Sequence, residues 1–141
     1  MVREAKRTQF STMIKLKDIV LERMDFQDTA AQLIKAYGLK SKVKFGTVKG
    51  TNKADYDWIS DIINLRKSYR TVKDFIITVL HEINHALDAK KMGSKKYEYQ
   101  YIEAGLAAEE KGGDFHDDNA FEKKAESWAI KQYTSKWKKK L

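Results

Sequence analysis

Apolar residues at helical spacing open the pattern: Phe26, Ala30, Leu33, Ile34 and Tyr37 share one face, and Gly38 stands where a helix end needs a residue tolerant of positive φ. Upstream, "TMIKLKDIV" (residues 12–20) has β-branched content that suits a strand as well as it suits an extension of this helix back to about residue 11. The period then changes. In "KVKFGTVKG" (42–50) Val43, Phe45 and Thr47 alternate with lysines, and "DWISDIINLRKS" (57–68) is rich in isoleucine. Two strands are expected there, joined across "KGTNKAD" (49–55) as a hairpin or small antiparallel sheet. Beyond Tyr69 the alternation stops, no proline interrupts the chain, and helical spacing continues to the end. The pattern describes one α+β domain over residues 1–141, with a small, mostly antiparallel sheet, a long helix and a helical C-terminal half.

That long helix starts at a capping box, Thr71 as N-cap with Asp74 three residues on, and runs to about Lys91, with Gly93 beyond its end. Val72, Phe75, Ile76, Val79, Ile83, Ala86 and Leu87 form its apolar face, and His81 and His85 fall on the opposite side. Both belong to "HEINH", a pattern expected by chance in roughly one of a few hundred chains of this size and composition. Histidines at i and i+4 bring two imidazoles side by side, so that both can reach one Zn²⁺ at about 2.0–2.1 Å. Glu82 lies about 100° further round the helix, poorly placed as a third ligand but close enough to take a proton from zinc-activated water, as a general base.

The motif resembles the His-Glu-x-x-His signature of the zincin class of zinc metallopeptidases. In "HALDAKKMGSK" the Gly and third His of the metzincin pattern are missing from their places, whereas "NAFEKKAESWA" (119–129) is similar to the third-ligand helix of minimal gluzincins of the ImmA/IrrE type and related phage-encoded proteins. The resemblance implies Glu122 as third ligand, a zincin-like fold with the small sheet packed on the motif helix, and hydrolysis of peptide bonds in a protein or peptide substrate. The chain departs from many ImmA/IrrE members in carrying Asn84 where they have Gly. Helical geometry also sets Glu122 on the inward face with Phe121, Ala125, Trp128 and Ala129, while its rival Glu126 turns towards solvent, where pairing with a lysine is the expected role. Tyr97, Tyr99, Tyr101 and His116 are candidate donors to a developing oxyanion, although the tyrosines also read as packing residues and His116 as an exposed loop residue. Asp88, three residues after His85, is a candidate to orient it.

Composition narrows these readings. Without cysteine, a transition metal must be held by His, Asp and Glu. Charges break every apolar run near the start before it reaches the length of a signal peptide's core, and no run approaches the roughly eighteen apolar residues of a membrane span, so a cytoplasmic monomer is expected. The net charge of +8 raises a nucleic-acid partner, but lysines are interleaved with acids along the chain, and the one dense run, "KWKKKL" (136–141), is terminal. Two alternatives follow: a zincin fold used as a binding module, and a protease acting on nucleic-acid-bound proteins, similar to SprT-like enzymes. Specificity would reside in the loops 49–54 and 112–120.

Overall fold

The computed structural model describes residues 25–140, so "TMIKLKDIV" lies outside the described residues. It is α+β: helix α1 (Phe26–Ala36), strands β1 (Lys42–Phe45), β2 (Ala54–Asp57) and β3 (Ile62–Leu65), then α2 (Val72–Met92), α3 (Ser94–Glu110), α4 (Ala120–Gln132) and a π-helical turn (Tyr133–Trp137). Asp25 caps α1 by accepting from the Asp28 N–H, and Gly38, at φ +74°, ends it. The Leu39 N–H reaches the Ile34 carbonyl at 3.2 Å and the Gly38 N–H reaches that of Lys35 at 2.9 Å, the two bonds of a Schellman motif. Ala30, Leu33 and Ile34 are the face buried in the core.

The sheet corrects the antiparallel hairpin. Its order is β1-β3-β2, with β1 parallel and β2 antiparallel to β3. The second strand is the polar "ADYD", which starts within what reads as a turn and ends at the first residue of what reads as a strand, and the true turn is residues 58–61 inside that expected strand. Local hydrogen bonding explains this. Asp57 Oδ1 accepts from the Ile59 and Ser60 N–H groups at 2.9 and 3.2 Å, and Asp61 takes positive φ (57°), which reverses the chain in four residues. β3 takes the centre because it is the most apolar strand, with Ile63 and Leu65 fully buried. Val43 and Phe45 on one side and Tyr56 and Ala54 on the other are their register partners, so these six residues make one face of the sheet. Arg66 ties down the loop before β2 by donating to the Gly50 and Asn52 carbonyls, each at 2.7 Å.

Thr71 caps α2 as expected, accepting from the Asp74 N–H at 2.9 Å. The helix is buried on more than its apolar face. Phe75, Ile76, Val79 and Ile83 meet the sheet and α1, while Glu82, Asn84 and His85 are covered as well. The second cover comes from α3 and α4. One residue, Gly93 at φ 89° and ψ 147°, separates α2 from α3 and turns the chain back. α3 buries Tyr97, Tyr101, Gly105 and Ala108. The Phe115 ring occupies the space a side chain at Gly105 would need, 2.4 Å from where its Cβ would stand, and this packs the loop 111–119 down on α3. Asn119 then caps α4, accepting from the Phe121 N–H at 2.8 Å, while its fully buried amide donates to the Tyr101 carbonyl at 3.0 Å. The small residues Ala125 and Ala129 let α4 lie close against α2. No helix among the described residues is long and apolar enough to cross a membrane.

The backbone at Gly93 is one that residues with a Cβ avoid. Gly93→Ala is expected to cost about 1–3 kcal/mol of stability in equilibrium urea unfolding. A cost near zero contradicts the account of how α3 is turned back on α2.

Candidate metal centre

Two helices supply the cluster. His81 and His85, one turn apart on α2, have ring centroids 5.0 Å apart, and both Nε2 atoms converge on one oxygen of α4: Glu122 Oε1 lies 2.7 Å from His81 and 2.9 Å from His85. Donor atoms held at about 2.0–2.1 Å around a tetrahedral ion stand about 3.3 Å apart. The observed separations are somewhat tighter and lie in the hydrogen-bond range. His81, His85 and Glu122 together form a group whose donor atoms all lie within 4.8 Å of one another and which could hold a metal ion.

Each member is held from behind. His81 Nδ1 lies 2.9 Å from Glu126 Oε1, His85 Nδ1 lies 2.9 Å from the Tyr97 hydroxyl, and Glu122 Oε2 accepts from the Tyr101 hydroxyl and lies 3.2 Å from His116 Nε2. The far nitrogen of both imidazoles is thus occupied, and the near nitrogens face Glu122. Three expectations change here. Glu126 is more than half exposed but is a partner of His81 instead of a lysine. Tyr97 and Tyr101 are packing residues whose hydroxyls also engage the cluster, whereas Tyr99 is exposed. Asp88 does not reach His85; it pairs with Lys124 of α4 at 2.5 Å. The histidines do point away from the apolar face, but into a second buried layer, and His85 is only 3% exposed.

The charges of the cluster are strongly coupled. Burial opposes the ionised form of Glu122, yet hydrogen bonds from His116, His81 and His85 outweigh it and hold this carboxyl well below the usual carboxylate range. Burial also opposes a charged His81, and Glu122 and Glu126 reverse the sign, raising it to about 10. His116 is raised to about 9, chiefly by Glu122 against partial burial. Glu82 is 6% exposed, and burial pushes its pKa up, partly offset by His85 and His81.

The cluster opens on a cleft of about 620 Å³ whose walls include His81, His116, Glu122 and Glu126, with Lys123, Ser127 and Ile130 further along α4. His116 is the one candidate oxyanion donor lining it. Compared with known proteins, the chain matches no family model, no curated protein and no solved structure.

The shifts have a consequence for the metal-free protein. A histidine with a raised folded pKa contributes stability that is complete below its unfolded value, 6.5, and is lost as pH climbs towards about 10 for His81 and about 9 for His116. The depressed Glu122 contributes above its ordinary 4.5 and loses this only at much lower pH. Chelator-treated protein should therefore unfold at progressively lower temperature as pH rises from 6.5 to 10, and His81→Ala should flatten that slope. A profile equally steep in the variant contradicts the coupling.

Proposed function

We propose that this centre holds zinc and that the chain is a zinc-dependent metallopeptidase with a zincin-like fold, a minimal gluzincin resembling the ImmA/IrrE-like and phage-encoded enzymes. The observation that carries the reading is a division of labour among carboxylates. Glu122 joins two imidazoles at the base of an open cleft, while Glu82, the neighbour of His81, is not part of that group. A purely structural site uses no spare buried acid.

The donor set suits zinc, with two imidazoles and one carboxylate and no thiolate in the chain. His81, His85 and Glu122 would hold the ion, which when bound supplies a Lewis acid and makes water nucleophilic near neutral pH. The protein does the rest. Tyr101 and His116 occupy the second oxygen of Glu122, leaving Oε1 directed at the histidines. Glu82 sits in a buried environment that raises its proton affinity, which suits it to take a proton from the attacking water and pass it to the leaving amine. His116, half exposed in the cleft wall, meets Glu122 at 3.2 Å and Asp117 at 3.1 Å through its two ring nitrogens, and by giving up one of these carboxylates it can donate to the carbonyl oxygen as that gains charge. Among the described residues β2 is an edge strand, packed on α2, and its outer edge suits an extended peptide added as a further strand.

Glu82→Gln keeps the shape and removes the base. It should retain one zinc per chain by elemental analysis and lower hydrolysis of an unfolded-protein library by about 10²–10⁴-fold, with chelator-treated wild type as the blank. His85→Ala should lose both metal and activity. Cleavage by Glu82→Gln at the wild-type rate sinks the mechanism. His116→Ala should retain zinc and lower kcat by about 10²-fold or more, since such donors contribute at that scale; an unchanged kcat removes His116 from the mechanism.

A further inference from the structure

Two tyrosines on α3 are spaced like the two histidines on α2. Tyr97 and Tyr101 are four residues apart on the buried face of their helix, and each hydroxyl meets a different member of the cluster, His85 Nδ1 at 2.9 Å and Glu122 Oε2 respectively. Their rings are fixed independently of those bonds. Trp58 and Phe121 lie against both, with ring centroids 5.4–6.1 Å away. Packing alone would be served by phenylalanine, and a hydroxyl buried without a partner is costly, so the oxygens need the cluster and the cluster can use them.

We propose that Tyr97 and Tyr101 are a positioning pair for the metal centre, an inference that rests on the metal reading above. Tyr97 accepts the Nδ1 proton of His85, which leaves the Nε2 lone pair for the ion. Tyr101 occupies Oε2 of Glu122, so that the carboxylate binds through Oε1 alone. The choice of residue follows burial. His81, at the cleft, is backed by the solvent-facing carboxylate of Glu126, whereas His85, 3% exposed, is backed by a hydroxyl that brings no further charge into the interior.

The test is zinc affinity, by competition with a chromophoric chelator, together with thermal unfolding of the zinc-free and zinc-loaded full chain. Tyr97→Phe and Tyr101→Phe keep the rings and remove the oxygens. Each should weaken zinc binding about 10–100-fold and shrink the zinc-induced rise in Tm accordingly. Tyr99→Phe, on the exposed face of the same helix, should change neither. If both buried variants bind zinc within about twofold of wild type, the pair only packs and the proposal is overturned, whatever their zinc-free Tm. A wild-type measurement stands apart from the folding of any variant: ¹H–¹⁵N NMR of the zinc-loaded protein should find His85 protonated at Nδ1, and protonation at Nε2 overturns the proposal. A wild-type chain that binds no zinc removes the metal reading and this inference together, whereas full affinity in the phenylalanine variants removes the inference alone.

Discussion

A carboxylate buried between two helices must be neutralised or paired, and Glu122, 8% exposed, is paired with two imidazoles from across the α2–α4 interface. Much of the C-terminal half reads as the means of holding that meeting. Ala125 and Ala129 bring α4 close to α2. Asn119 sets where α4 begins and ties its start to α3 through the Tyr101 carbonyl. Lys124 and Asp88 bridge the same two helices at their outer edge. The near nitrogens of the two imidazoles meet at Glu122 Oε1, and the far nitrogens and the second carboxylate oxygen are occupied from behind.

The site is asymmetric, and the asymmetry agrees with the proposed chemistry. At the cleft stand His81, Glu126 and His116, all partly reached by solvent; at the interior end stand His85, Tyr97 and Tyr101, all buried. On the proposed reading, precise geometry would be set where water is excluded, and exchange with substrate would take place where it is not. Glu82 shares the buried character of the interior end, and burial is what raises the proton affinity of a carboxyl towards the range a base needs at neutral pH.

The spacing of residues 71–93 made the central helix, its cap and its end legible, because helix period and capping are local rules. His81 and His85 were legible for the same reason, as was the inward side of Glu122. The sheet was misread because its order depends on contacts distant in sequence: "ADYD" has little strand character of its own and forms a strand because β3 offers it an edge, while Asp57 and Asp61 turn an isoleucine-rich stretch. The partners of the cluster were hidden for a similar reason. A tyrosine at i+12 from His85, or a glutamate at i+45 from His81, carries no local sign of its neighbour. One signal was available in the matched i, i+4 spacing of "YEYQY" and "HEINH" once the two helices are known to pack together.

The central claim is that two imidazoles and one carboxylate of this chain share a single metal ion. X-ray absorption spectroscopy at the zinc edge, on protein purified and loaded with one equivalent, tests it most directly. The account predicts a shell of nitrogen and oxygen at about 2.0–2.1 Å carrying the outer-shell scattering of two imidazoles. A shell with the scattering of no imidazole, or of three, contradicts it.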